Sequence, residues 1–522
     1  MASVGTVVLL LAYVAAIAVL AGRIGLPYPI LMVIGGLALG FVPALPRVEL
    51  QPDLVLLIFL PPILFAAAYE TSPRDLWRDR RPITLLAFGL VLATTLAVAA
   101  VITWLVPAVP FAAGVALGAI VSPPDAIAAT SIARRLGLPR RLVTILEGES
   151  LVNDATALVT YRFAVAAAVT GSFSVGDAAL SFVGVAVGGV AIGLVVGSVV
   201  NFLFARLEDP PVEVLVSLIA PFAAYVSAES VHASGVLAAV AAGLWHGWRA
   251  PRVLKSNTRV LVGSGTWATM LFVVNGVAFL LIGLQLPNVM SDVGGRSAGE
   301  LAWLAIAVSA TVILVRLAWV FPATYIPRWI LRRLGDDEPP PSPRVVGILG
   351  WAGMRGAVSL AAALALPLDP PFPERGLIVF LTFVAILVTL VGQGLTLPLL
   401  IRRLGVGDDG STEREELQAR NVATEAALRR LDELETEFPD HVPLIEEIRG
   451  RYQHRAGHYE RAHDGDELVE DPEERDHVEI RRAVLAAERA AVIDLRDDGE
   501  ISHEALRRVE RDIDLEEVRG DA

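Results

Sequence analysis

The 522-residue chain has no cysteine, one lysine (Lys255) among 43 basic residues, and only 19% charged residues. Without cysteine, a disulfide framework and a thiolate metal site are both excluded, and redox compartment cannot be read from that direction. So little charge excludes an ordinary soluble composition, which runs near 25% charged. No basic segment precedes the first apolar stretch, so Val4 to Leu20 reads as a retained span and not a cleaved secretory signal. The Walker pattern GxxxxGK[ST] is missing too, which leaves no sequence basis for a nucleotide site. Arginine used in place of lysine points to a GC-rich bacterial genome.

What is present is apolar: 54% hydrophobic residues and a mean hydropathy of +0.58. Charge is divided unevenly. Residues 406–522 hold 35 acids and 17 arginines, whereas residues 1–405 hold 21 acids and 26 bases. Two materials therefore join near Gly405, a membrane body over 1–405 and an acidic, mainly helical soluble tail over 406–522.

A crossing helix needs about 20 apolar residues, and turn and charge clusters cut the body into thirteen such stretches. They lie at 4–22, 28–45, 53–70, 82–106, 110–134, 141–168, 177–206, 211–230, 233–249, 264–287, 299–326, 344–367 and 376–401. The fold class expected is an all-α polytopic membrane protein. Short cytoplasmic loops collect Lys and Arg, and loops after odd-numbered spans hold 20 basic residues against three (Arg47, Arg296, Arg375) in the others. That asymmetry puts the N-terminus outside and the tail in the cytoplasm, with the chain in a bacterial plasma membrane.

Two spans are interrupted. In the fifth, Pro123-Pro124 removes two backbone donors and disfavours helix at the residue before. Backbone released at that depth needs a cavity, water or an ion. Asp125 comes next, placed to cap the second half-helix; a self-capped proline kink and a ligand site are both open readings. In the twelfth, Gly350-Trp351-Ala352-Gly353-Met354-Arg355-Gly356 is the second break. Seven spans separate the two breaks, an odd offset that makes two six-span halves inverted repeats, with a site expected where broken helices meet.

The sixth span carries the densest chemistry. At about 100° per residue, Glu147, Ser150 and Asp154 share one face, while Glu149 and Asn153 share another. An Asp at mid-membrane costs at least about 2.5–3.5 kcal/mol, so Asp154 needs a purpose. With Ser150 one turn away it offers oxygen ligands for a hard cation. Buried Glu149 needs a cation, and Arg355 is the expected partner in a structural ion pair. Arg162, about 12 Å beyond Asp154, is expected to snorkel outward. Arg316 sits in the eleventh span, toward the cytoplasm. Asn275, Gln285, His232 and His246 read as packing or interface residues.

The run Val121-Ser122-Pro123-Pro124-Asp125, then Leu146-Glu147-Gly148-Glu149-Ser150-Leu151-Val152-Asn153-Asp154-Ala155, and later Gly353-Met354-Arg355-Gly356-Ala357 resembles the sodium/proton exchangers of the monovalent cation:proton antiporter family 1. Leu60-Pro61-Pro62-Ile63-Leu64 is similar to that family's Leu-Pro-Pro motif. The resemblance implies that Asp154 binds cation and proton, with Asn153 its neighbour and Ser150 and Asp125 supporting ligands, all holding a monovalent cation. It implies a Glu149–Arg355 pair between the broken helices, a homodimer and elevator-like alternating access. An Asn-Asp pair implies electroneutral exchange, since one carboxylate takes either one cation or one proton. Burial favours the neutral carboxyl and a neighbouring cation the charged one. Some relatives carry an acid just after Pro-Pro, where this chain has Phe65-Ala66-Ala67-Ala68, and many have Asp-Pro where this chain has Asp125-Ala126.

The expected function is therefore secondary transport, Na+ (or Li+ or K+) against H+, with the bilayer and a second copy as partners, no cofactor and no nucleic acid. A K+/H+ exchanger or a cation channel is the alternative. An intramembrane aspartyl protease could use Asp125 and Asp154 but has no Gly-x-Gly-Asp signature here. Six of the eight histidines (His441, His454, His458, His463, His477, His503) lie in the tail, either as a regulatory pH sensor or as solvated surface.

Overall fold

The computed structural model describes residues 4–42, 52–171, 175–253, 265–291, 295–333, 340–407, 410–463 and 472–498, with single positions besides. Arg47, Lys255, Arg259, His503 and most of the loop expected near Asp464–Pro472 lie outside the described residues. Every regular element described is helical. The chain separates into two compact units, Met1–Asp408 and Asp409–Ala522.

In the first unit the helices are α1 (Val4–Ile24), α2 (Tyr28–Gly40), α3 (Pro52–Glu70) and the short α4 (Pro73–Arg78). Next come α5 (Arg80–Leu105), α6 (Phe111–Val121), α7 (Ala126–Arg135), α8 (Arg140–Thr170), α9 (Val175–Phe204), α10 (Pro210–Ser230) and α11 (Gly235–Val253). The set closes with α12 (Trp267–Met290), α13 (Ala298–Arg333), α14 (Pro343–Trp351), α15 (Ala357–Leu364) and α16 (Arg375–Leu404). A helix or a pair of half-helices stands at each apolar stretch read from the sequence. Seven segments, among them α5, α9, α13 and α16, are long and apolar enough to cross a membrane. Leu180, Val187, Leu194 and Val199 are exposed along α9, as expected of a helix whose solvent is lipid.

Helix contacts gather these elements into two bundles. One holds α1–α3 and α9–α12; the other holds α5–α8 and α13–α16. Small residues let backbones approach: a Cβ on Gly36 would strike the Leu280 carbonyl of α12, and one on Gly283 would strike that of Val33 in α2. In the second bundle Leu117, Ile120, Val308, Val312, Ile378 and Phe383 are fully buried. The bundles meet along a seam where α3, α11 and α12 face α8 and α15.

Both expected breaks are real. Pro123-Pro124 separates α6 from α7, and Ala352 to Gly356 separates α14 from α15. The gaps cross within the second bundle, where the Asp125 N–H donates to the Met354 carbonyl at 2.6 Å. In α16 a wide π-helical turn at Val388–Gln393 sets Thr389 against the second gap, where its Oγ1 accepts from the Arg355 backbone N–H at 3.1 Å.

The second unit contains α17 (Ser411–Glu437), α18 (Val442–His463) and α19 (Pro472–Asp497). The α17–α18 hairpin buries Leu431 and Ile445. Arg449 of α18 pairs with Asp432 at 3.0 Å and Glu435 at 2.8 Å of α17, and with Glu446 on its own helix. His441 and His454 are exposed.

Candidate ion site

The two gaps leave helix ends inside the protein, and every exposed end needs partners. Asp125 caps α7: its Oδ1 accepts from the Ile127 N–H at 2.8 Å, while Ser150 Oγ accepts from the Ala126 N–H at 3.4 Å. The same carboxylate lies against the N-terminus of α15. A Cβ on Gly356 would overlap Asp125 Oδ2, so only glycine lets that helix start approach. Two helix N-termini, each a partial positive charge, thus converge on one carboxylate.

The C-terminal ends are closed by arginine. Arg355 is fully buried and gives Nε to the Val121 carbonyl at 2.9 Å, Nη2 to Ser122 at 3.3 Å and Nη1 to Gly353. Arg316, equally buried, donates to the Leu349 carbonyl of α14 at 3.2 and 3.4 Å. Cations suit helix C-termini for the reason acids suit N-termini.

Here the structure corrects the expected ion pair. Glu149 binds Arg316, not Arg355: Nη1 meets Oε1 at 2.5 Å and Nη2 meets Oε2 at 2.8 Å. Glu149 faces α13, and the bidentate fork of a guanidinium fits a carboxylate whose oxygens are both buried. Arg355 is instead taken up by carbonyls of the crossing. Arg316, placed in the eleventh span by the sequence but with no partner assigned, is the cation that Glu149 requires. Its signal was depth, since it lies midway along a 36-residue helix.

A cavity of about 420 Å3 opens on the seam and is lined by Asp125, Ser150 and Asp154 together with Thr130, Asn275 and Gly356. Asp154 is 7% exposed, and among the described residues its carboxylate makes no hydrogen bond. Three of the four expected site residues therefore share one wall. Asn153 does not line this cavity; its Nδ2 donates to the Pro124 carbonyl at 3.0 Å, pinning the break. Of the Phe65-Ala66-Ala67-Ala68 stretch, Ala66 and Ala67 line the cavity.

Toward the arginine-rich end, Glu70, Arg134 and Glu147 line the same cavity, with Arg134 Nη2 at 3.2 Å from Glu70 and 2.8 Å from Glu147. On the other side of Asp154 lies a void of about 10 Å3, lined by Ile120, Ala157, Leu158, Tyr161 and Ser359 among others. Beyond it Arg162 does not simply snorkel; it pairs with Glu229 of α10 at 3.0 and 3.1 Å. His246 is a packing residue, its Nδ1 2.7 Å from Asn201 Oδ1. The described residues contain no cluster of three or more His, Cys, Asp or Glu able to hold a metal. What the cavity presents is the Asp154 carboxylate, with no hydrogen bond among the described residues, beside the Asp125 carboxylate and the Ser150 and Thr130 hydroxyls.

Comparisons with known proteins bear on the family and the fold. The transmembrane family described as sodium/hydrogen exchanger matches residues 7–403. An uncharacterized Na+/H+ exchanger of Mycobacterium bovis is 36% identical over 527 residues, covering 98% of this chain and 96% of that protein. A sodium, potassium, lithium and rubidium/H+ antiporter of Bacillus subtilis is 36% identical over 388 residues, 72% of this chain and 58% of its own length. In fold, the chain is similar to the sodium proton antiporter MjNhaP1 of Methanocaldococcus jannaschii, with a TM-score of 0.60 at 18% identity over 77% of this chain and 98% of that one.

Proposed function

Because this chain belongs to the sodium/hydrogen exchanger family, a multi-pass membrane protein that trades a monovalent cation for H+, we propose that Asp154 is where the two ions compete. The observation that carries this is its placement: a buried carboxylate without a hydrogen-bond partner among the described residues, on the wall of a cavity open to one side. One such group holds a cation or a proton. Asp125 and Ser150 complete the ligand set, and Asn153 acts indirectly by fixing the Pro124 carbonyl. Because a single charge travels each way, exchange is electroneutral.

The preferred cation is Na+, with Li+ and K+ also accepted; the breadth of the sodium, potassium, lithium and rubidium/H+ antiporter of Bacillus subtilis supports this, as do alanines, not an acid, at 66 and 67 on the cavity wall. Residues 1–405 are the exchange domain, with thirteen spans in inverted halves whose interrupted members cross at Asp125 and Met354. The N-terminus lies outside a plasma membrane, the 406–522 tail is cytoplasmic, and the protein works as a homodimer.

The test is dequenching of a pH dye in inside-out vesicles as each cation is added, with the parent protein and Asp154→Asn. Parent vesicles respond to Na+, and the variant, inserted at equal level, does not. A normal response from Asp154→Asn would overturn the assignment.

A further inference from the structure

We infer that the Arg162–Glu229 ion pair is a latch that holds Asp154 open to the arginine-rich side and must break once in each cycle. This rests on the exchange reading above.

Helix α8 is continuous from Arg140 to Thr170, so Glu147, Asp154 and Arg162 move as one rod, with about 22 Å between the outer two. On one side of Asp154 is the cavity of about 420 Å3. On the other is the void of about 10 Å3, room for at most one water. Among the described residues the wide approach to Asp154 is from one side, and exchange requires that it be reached alternately from both. That void is lined from α6, α8, α15 and the α6–α7 break, all of one bundle, so it reaches the outer side only if this bundle shifts against the opposite one.

Arg162 lies one residue past Tyr161 and is bonded to that opposite bundle. Its Nη2 meets both oxygens of Glu229, and Glu229 Oε1 also accepts from the Gly235 N–H at 3.2 Å, at the start of α11. The acid is thus held by two helices of one bundle while it grips the transport helix of the other. A shift of α8 by one turn, 5.4 Å, would separate them. On the open side the bundles are linked by Arg134, which meets Glu70 once at 3.2 Å, and by Arg135, which donates to the Gly25 carbonyl at 3.0 Å; Glu70 is 55% exposed where Glu229 is 31%. Neither Arg162 nor Glu229 lines the cavity, so both are positioning residues.

The cysteine-free chain makes the test direct. Ala157 lines the small void; as Ala157→Cys it is the only thiol, and it reacts with a membrane-impermeant thiosulfonate from the outer side only when that side opens. In whole cells, Arg162→Gln and Glu229→Gln should each raise its labelling rate roughly two- to fivefold, the population shift expected from losing a partly exposed ion pair. The charge swap Arg162→Glu with Glu229→Arg restores the pair but not the acceptor for the Gly235 N–H, so it should bring the rate part of the way back to that of the parent. Two independent single variants guard against a folding defect in one. Unchanged labelling in both, or a swap as fast as the single variants, would overturn the latch while leaving the Asp154→Asn result untouched. Conversely, an Asp154→Asn protein that still exchanges would sink the underlying reading whatever the labelling shows.

Discussion

Arg316 holds both oxygens of Glu149, at 2.5 and 2.8 Å, and the same guanidinium caps the Leu349 carbonyl of α14. One side chain thereby ties α8 to α13 and closes a broken helix. Removing either member leaves an unpaired buried charge, which costs about 3–5 kcal/mol. Arg316→Ala should lower the thermal midpoint of the purified protein sharply, and Arg316→Lys, which loses the fork, by less. A midpoint equal to that of the parent would contradict the pairing.

Gly356 gives a second prediction. A methyl group there would collide with Asp125, so Gly356→Ala should abolish or strongly depress exchange while the protein still inserts. Gly347, whose added Cβ would meet nothing within 4 Å, is the control. Gly347→Ala should exchange normally, and equal activity from both variants would show that the close approach is not needed.

Charge and capping can be separated at Asp125. Asparagine caps as well as aspartate, so Asp125→Asn keeps the hydrogen bond to Ile127 but removes the charge. Its stability should match the parent while its apparent KM for Na+ rises. Asp125→Ala should show the same KM effect and lose about 1 kcal/mol of stability besides.

Ala66 is a vacant position on the cavity wall. Ala66→Glu should draw the cation more strongly and lower the apparent KM for Na+, by roughly threefold or more if the new carboxylate acts within several ångströms of the ion. The concentration dependence of dye dequenching measures this, and an unchanged KM would exclude an electrostatic role for the position.

If cation and proton compete for one carboxylate, lowering pH on the cation side should raise the apparent KM without lowering the maximal rate. Initial rates at several pH values distinguish this from proton inhibition at a separate group, which would lower the maximal rate instead.

Much of this site was legible in the sequence because its cause is local. Pro123-Pro124 lacks two donors, so α6 had to end there, and Asp125 is a natural cap for α7. The helical period put Glu147, Ser150 and Asp154 on one face, and they share one cavity. That same period set Glu149 and Asn153 on another face, which explains why Asn153 turns from the cavity toward Pro124. The partner of Glu149 was not legible. A buried acid demands a cation, but which of two arginines supplies it depends on how α13 crosses α8, a relationship that no local spacing contains. Glu229 as the partner of Arg162 is a case of the same kind, 67 residues away along the chain.

The carbonyls of Val121 and Ser122 receive their donors from Arg355, 234 and 233 residues later. At ribosomal speeds of 5–20 residues per second, that separation is on the order of 10–50 s of synthesis. Through that interval the nascent first half sits in the translocon or lipid with its interrupted helix unfinished, so a chain stopped before residue 355 is an incomplete assembly and not a smaller transporter.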